Sequence, residues 1–139
     1  MEIRESMIRL AQRAMANAHC PYSNFPVGAC LRTASGQLFA GCNVENASFP
    51  EGWCAETSAI AAMVLAGETH IEEVVVITTG SEPCAPCGGC RQRLAEFSSS
   101  DTEIHLCDPE GVRLTITLGE LLPRAFDGSQ LEPFVSGAP

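Results

Sequence analysis

The chain has 139 residues and a formal net charge of −9, with 45% hydrophobic and 18% charged residues. This length fits one domain with a sizeable core, and the acidic balance argues against a nucleic-acid groove, which needs a basic stripe. The charged N-terminus is unlike a secretory signal, and no apolar run reaches the ~18 residues of a membrane helix. We therefore expect one cytoplasmic domain over residues 1–139, with a loosely ordered tail from about residue 128.

The first half of the chain alternates helical and strand patterns. Apolar residues recur at helical spacing over residues 2–18, which predicts an amphipathic first helix. Residues 25–32 and 37–43 then form the two predicted strands of a hairpin. A second helix is predicted to begin at Cys54 and to end near Gly67, a plausible C′ glycine.

The second half continues the alternation. Residues 73–79 are apolar on both faces, as expected of a central strand that helices cover on both sides. A third helix is predicted from near Gly88, and strands at 103–107 and 112–117 precede a short helix at 118–122. This order of elements predicts an α/β layered domain built on one mixed sheet.

Cysteines at two predicted helix starts carry the chemistry. Eight cysteines without a secretory signal favour metal or catalytic use over disulfides. Cys87 and Cys90 are spaced i, i+3, so one helical turn brings both sulfurs to the same side. Cys54 and Glu56 can share a centre only if that centre lies off a helix N-terminus, where free N–H groups favour a thiolate. Three thiolates can fill three corners of a zinc site and leave the fourth open for water.

Cys84 leaves an alternative open. The P-C-x-x-C pattern occurs twice, at residues 83–87 and again at residues 86–90. Cys84, in the first occurrence, could therefore close a structural site with four cysteines. Leu94 and Phe97 continue the helical stripe that Cys90 begins, which favours Cys87 and Cys90 as the ligand pair. Cys84 is then a free thiol on the entering loop.

The motifs Cys54-Ala55-Glu56 and P-C-x-x-C-R-Q resemble those of the small, all-cysteine type of zinc-dependent cytidine deaminase. P-Y-S-x-F-P-V-G-A, G-C-N-V-E-N-A-S and E-L-L-P-x-x-F follow the same family's order, and the resemblance covers roughly residues 3–127. It implies a three-layer α/β/α cytidine-deaminase-like fold with a mixed five-stranded sheet. It also implies one zinc ion per chain, held by Cys54, Cys87 and Cys90, and a homotetramer with active sites completed by neighbouring subunits.

The implied reaction is hydrolytic deamination of cytidine and 2′-deoxycytidine, with release of ammonia, in pyrimidine salvage. Glu56 would be the catalytic proton shuttle, which takes a proton from the attacking water and passes it to the pyrimidine N3. The resemblance also implies substrate-binding residues: Asn43, Glu45, Phe25, Phe126 and Ala55. Among them, Asn43 and Glu45 would bind the ribose hydroxyls, and Phe126 would reach the base from a neighbouring subunit.

One position departs from the family pattern. Relatives of this type often carry Arg directly after the catalytic Glu, where it can hydrogen-bond the ligand sulfurs, and here that position is Thr57. Arg91 is the nearest substitute by sequence. The change leaves the ligands and the shuttle in place but puts the usual charge compensation in doubt.

Three other functions compete with this interpretation. A blasticidin-type deaminase shares the zinc motif, although the N-x-E and E-L-L-P-x-x-F motifs favour cytidine. An RNA or DNA editing enzyme is opposed by the acidic charge and the small size. A non-catalytic, zinc-stapled binding module would need Cys84 as the fourth ligand. The expected partner is a small-molecule nucleoside, with no nucleic acid and no membrane.

Overall fold

The computed structural model describes residues 2–80 and 82–131. Its helices and strands are, in chain order, α1 (Ile3–Ala16), β1 (Val27–Thr33), β2 (Leu38–Cys42), α2 (Ala55–Leu65), β3 (Ile71–Thr78), α3 (Gly88–Phe97), β4 (Glu103–Asp108), β5 (Gly111–Thr117) and α4 (Leu118–Leu121). Short 3-10 turns lie at Phe49–Glu51 and Gly128–Leu131. Each predicted helix and strand is present, with ends shifted by at most two residues.

The five strands form one mixed sheet in the order β2-β1-β3-β4-β5. Strand β1 pairs antiparallel with both β2 and β3. Strand β3 pairs parallel with β4, and β4 pairs antiparallel with β5. Helix α1 packs on one face of the sheet and α2 on the other, with α3 beside α2. The predicted three-layer α/β/α fold with a mixed five-stranded sheet is therefore confirmed.

The central strand β3 is apolar on both faces because helices cover both. Val74 and Val76 belong to the core cluster under α2 and α3. Val75 and Ile77 belong to the cluster under α1. All four side chains are at most 3% exposed, so this strand contributes to both cores at once.

Helix α2 lies in direct backbone contact with strand β2. A Cβ atom added at Gly41 would stand 2.4 Å from the amide nitrogen of Ala59 and 2.5 Å from the carbonyl oxygen of Ala55. Only glycine permits this approach, since real Cβ atoms do not come within 3.0 Å of backbone atoms. The Ser58 hydroxyl also donates to the carbonyl of Cys42 at 2.8 Å. These contacts fix the first turn of α2 over the end of the hairpin.

Gly67 ends α2 as predicted. It has φ of +90°, and its N–H donates to the carbonyl of Val64 at 3.0 Å while the N–H of Glu68 donates to Met63 at 3.1 Å. This pair of bonds is a Schellman motif.

Of the expected tail, Gly128–Leu131 form a 3-10 turn, and residues 132–139 lie outside the described residues. Within residues 2–80 and 82–131, none of the helices has the length and apolar character needed to cross a bilayer.

Candidate active site

Cys54 and Cys87 are the N-cap residues of α2 and α3. Both have extended backbone, with ψ of 161° and 165°, and neither side chain makes a capping hydrogen bond. Their carbonyls accept the first helical bonds instead, from Ser58 at 3.1 Å and from Arg91 at 3.0 Å. The sulfurs therefore lie at the positive ends of two helices, where the N–H dipoles favour a thiolate.

Cys90 in the first turn of α3 brings a third sulfur to the same point. The three Sγ atoms of Cys54, Cys87 and Cys90 all lie within 4.8 Å of one another, and those of Cys54 and Cys87 are 3.6 Å apart. A tetrahedral zinc with Zn–S bonds of about 2.3 Å separates its sulfur ligands by roughly 3.8 Å. The donor set therefore fits zinc by both chemistry and spacing. A hydrogen bond between the thiols of Cys54 and Cys90 lowers the pKa of Cys54 and raises the pKa of Cys90.

Cys84 lies near this group but does not belong to it. Its sulfur is 4.0 Å from the carbonyl oxygen of Ala85, and burial raises the pKa of its thiol. Among the described residues, the sulfurs that converge are those of Cys54, Cys87 and Cys90 alone. This placement favours three protein ligands over a closed four-cysteine site.

Glu56 is the second residue of α2 and is only 3% exposed. Burial raises the pKa of its carboxyl group, while hydrogen bonds from its own backbone N–H and from Cys90 act in the opposite direction. A buried carboxyl group with a raised pKa beside three thiols is suited to accept a proton and to release it again.

A cavity of about 410 Å³ opens over Glu56 and the sulfurs of Cys54 and Cys87. This volume suits a small organic molecule. Its wall also includes Phe25, Asn43, Glu45, Phe49, Trp53 and Ala55. Four of the five residues predicted to bind the substrate are therefore brought together at one cavity.

Glu45 is held rigidly at this cavity. One of its carboxylate oxygens accepts from the backbone N–H of Tyr22 at 2.9 Å and of Ser23 at 3.1 Å, and the other accepts from the Ser23 hydroxyl. The Ser23 hydroxyl and these backbone N–H groups lower the pKa of Glu45. The carboxylate therefore stays ionised and fixed, with lone pairs left to accept from a ligand.

Asn43 bridges the start of β1. Its Oδ1 accepts from the N–H of Val27 at 2.9 Å, and its Nδ2 donates to the carbonyl of Phe25 at 2.9 Å. The side chain thus has a structural task that the sequence did not predict. One amide hydrogen remains for a ligand.

Phe126 lies apart from the cavity of its own chain. It is 55% exposed and is absent from the residues that line the cavity. Its carbonyl accepts from the Gln92 amide at 2.9 Å, which ties this segment to α3. The structure of one chain therefore does not bring Phe126 together with the other predicted site residues.

Arg91, the substitute that is nearest by sequence, forms hydrogen bonds with the backbone. Its guanidinium donates from Nε to the carbonyl of Pro86 and from Nη1 to the carbonyl of Leu121, both at 2.8 Å. These bonds hold the loop before α3 and the end of α4.

Arg93 is the cation that reaches the site, and the sequence interpretation missed it. Its Nη1 donates to Oγ1 of Thr57 at 3.1 Å, and that oxygen is 3.9 Å from the sulfur of Cys90. The i, i+3 spacing of Cys90 and Arg93 is the signal that could have found it.

A second group of metal-binding residue types lies on the α1 face of the sheet. The ligand atoms of Glu73, Glu103 and His105 also lie within 4.8 Å of one another. However, Glu73 already accepts from Arg4 at 3.3 Å, from Arg32 at 3.1 Å and from His105 at 2.6 Å. Two guanidinium groups would repel a cation here, so this group is an ion-pair network.

Residues 1–106 match the family described as the cytidine and deoxycytidylate deaminase zinc-binding region. A cytidine deaminase of Mycoplasma genitalium is 41% identical over 126 residues, which cover 90% of this chain and 96% of the relative. One of Halalkalibacterium halodurans is 37% identical over 128 residues, covering 92% and 97%. The crystal structure of cytidine deaminase from Burkholderia pseudomallei superposes with a TM-score of 0.84 at 39% identity, covering 91% of this chain and 100% of that one.

Proposed function

The chain belongs to the cytidine and deoxycytidylate deaminase family, and from this premise we propose that it hydrolyses cytidine and 2′-deoxycytidine to the uridine nucleosides and ammonia. One observation carries the proposal: three cysteine sulfurs converge from two helix N-termini beside the buried Glu56, under a cavity of nucleoside size.

Zinc is the cofactor of this family, and Cys54, Cys87 and Cys90 would hold it here. When bound, the ion supplies a Lewis acid that makes water nucleophilic at neutral pH. The two N-cap positions and the first turn of α3 place the three sulfurs within 4.8 Å of one another.

Glu56 moves the protons. In the proposed reaction the water oxygen bonds to C4 of the base, and a Glu56 carboxylate oxygen receives the water proton and delivers it to N3. The C4–N4 bond then breaks, and ammonia leaves with a second proton that Glu56 transfers from the same water. The raised pKa of the buried carboxyl suits this shuttle, since the group must both accept and give up a proton.

Glu45 and Asn43 would select a nucleoside over a free base. The Glu45 carboxylate is ionised and fixed by three donors, so it can accept from a ribose hydroxyl without reorganising. A ligand without the sugar would lose these hydrogen bonds and the orientation that they give the base. Both ribonucleoside and deoxyribonucleoside offer the 3′-hydroxyl, so both are proposed substrates, and free cytosine is expected to be poor by several orders in kcat/KM.

We further propose a homotetramer in which Phe126 of one chain completes the cavity of another. Support comes from the exposure of Phe25, Phe49, Trp53 and Phe126, which are each at least 41% accessible in the single chain. Exposed aromatic side chains around an open cavity are typical of an interface.

Subunit complementation tests this assembly. Glu56→Gln chains keep Phe126, and Phe126→Ala chains keep Glu56. If sites are shared, refolding the two inactive variants together restores part of the activity, because some sites combine Glu56 of one chain with Phe126 of another. A monomer in solution, or mixtures no more active than the separate variants, would contradict the proposal.

A reducing, cytoplasmic location fits the thiols. None of the eight cysteines, all of which lie in the described residues, is paired in a disulfide. Free cysteines at this density are typical of a compartment that keeps thiols reduced. Pyrimidine salvage is the corresponding proposed role.

Cytidine turnover on protein of measured zinc content tests the function. We expect loss of cytidine absorbance by the wild-type protein, and Glu56→Gln should keep its zinc and fold while losing a factor of about 100 or more in kcat. Zinc-loaded protein that turns over no cytosine nucleoside would favour a binding module, and turnover of blasticidin alone would favour the drug-deaminase alternative.

A further inference from the structure

The proposed zinc centre has a charge that its ligands do not balance. Three thiolates carry one more negative charge than a zinc ion cancels, and the sulfur-bearing residue Cys90 is fully buried. A buried excess charge is costly unless a partner of opposite sign lies close to it. Glu56 beside the sulfurs is itself acidic, and Arg91 donates from Nε and Nη1 to the backbone carbonyls of Pro86 and Leu121.

Arg93 reaches back from α3 toward this point. Its side chain runs along the helix toward the N-terminus, over Gly89, where an added Cβ would lie 3.5 Å from Nη1. Nη1 ends at the hydroxyl oxygen of Thr57 on α2, 3.1 Å away. Arg93 thus connects the two helices whose N-termini carry the cysteines.

Thr57 sets the direction of the hydrogen bonds. A guanidinium only donates, so the Thr57 oxygen must accept from Arg93. The single hydroxyl hydrogen of Thr57 is then free to donate, and the sulfur of Cys90 lies 3.9 Å from the oxygen. Both hydrogen bonds therefore point in the same direction: Arg93 donates to Thr57, and Thr57 donates to the thiolate of Cys90.

We propose that Arg93, acting through the hydroxyl of Thr57, is a positioning residue that offsets the excess negative charge of the zinc–thiolate centre at Cys90. The inference rests on the zinc centre of the proposed function. Arg93 touches neither substrate nor metal, and its effect passes through Thr57. Its role is to stabilise the deprotonated, metal-bound form of the three cysteines.

Zinc affinity in a double-mutant cycle tests whether Arg93 acts on the zinc centre through Thr57. The variants are Thr57→Val, which removes the hydroxyl at nearly constant volume, Arg93→Gln and the double variant. Arg13→Gln on α1 is the matched control, because it removes one exposed positive charge away from the site. In competition with a chromophoric chelator, each single variant should lose about 10-fold in zinc affinity. The double variant should lose no more than either single one, and the control should match wild type.

Cobalt substitution separates this role from packing. A hydrogen bond lowers the energy of a thiolate lone pair, so its loss should move the sulfur-to-cobalt charge-transfer band to longer wavelength in Thr57→Val and Arg93→Gln. An Arg93→Gln protein that behaves like Arg13→Gln, an additive double variant, or weaker zinc binding with an unmoved cobalt band would each overturn the proposal. Neither readout uses turnover, so zinc-binding protein that fails to deaminate cytidine would overturn the proposed function and leave this inference standing.

Discussion

The two groups of three potential ligands lie on opposite faces of the sheet and differ in how their members are already bound. Glu73, Glu103 and His105 face α1, where Glu73 is saturated by two arginines and the histidine. Cys54, Cys87 and Cys90 lie on the other face, and their thiols bond mainly to one another. The ligand atoms of each group lie within 4.8 Å of one another. Proximity therefore does not distinguish a metal site from an ion-pair network, whereas pairing with guanidinium groups in one of them does.

The largest expected effect comes from breaking the cysteine group. Cys90→Ser should abolish stoichiometric zinc binding and deamination, because serine does not supply a thiolate and two ligands hold zinc weakly. Stability should fall as well, since metal binding by residues of α2 and α3 ties the two helices together. The measurements are zinc content by atomic spectroscopy and thermal unfolding with and without chelator. Zinc at one equivalent in the purified variant would contradict the assignment of Cys90.

The two halves of the cysteine group could be predicted because their information is local: Cys87 and Cys90 lie one turn apart, and Cys54 and Glu56 share a helix start. Cys54 and Cys87 are 33 residues apart, so their meeting was predicted from the family resemblance and not from spacing. Periodicity likewise located the helices and strands, whose apolar faces are buried as their patterns require. The parallel pairing of β3 with β4 follows from the helix between them.

The ion-pair network could not be predicted because its members are distant in the chain. Arg4, Arg32 and His105 are separated from Glu73 by 69, 41 and 32 residues. Their meeting depends on strand order and on how α1 lies across the sheet. Arg93 and Thr57, 36 residues apart, meet for the same kind of reason, since the packing of α3 against α2 decides which arginine reaches the site.

A change in the ion-pair network should separate stability from metal binding. Glu73→Gln keeps the shape of the side chain but leaves Arg4 and Arg32 without their anion. We expect a loss of about 2 kcal/mol in the free energy of unfolding, below the ~3–5 of a fully buried pair because both arginines reach solvent. Denaturant unfolding and zinc content check this together. Reduced zinc content in the folded variant would mean that the two groups are coupled.

The stabilising effect of Glu73 should depend on pH. Burial alone would raise the pKa of this carboxyl group, but hydrogen bonds from His105 and Arg32 hold that pKa below its ordinary value. A lowered folded-state pKa means that the contribution is complete above pH 4.5 and is lost as pH falls through the folded-state value. The stability difference between wild type and Glu73→Gln should therefore shrink at acid pH. Unfolding of both proteins at several pH values in excess chelator measures it, and a difference independent of pH would contradict this account.

The smallest expected effect is that of Cys84→Ser, and it decides between an open and a closed zinc site. Cys84 lines the cavity wall, but its sulfur is outside the converging group. If zinc has three protein ligands, serine at this position should leave zinc content at one equivalent and cytidine turnover within a few-fold of wild type. If Cys84 is a fourth ligand, its loss should instead weaken zinc binding about as much as loss of Cys90 does, and it would open a coordination position that the wild-type protein lacks. Zinc content of the Cys84→Ser and Cys90→Ser variants, measured side by side, separates the two arrangements, because only the open site predicts that one cysteine is dispensable and the other is not.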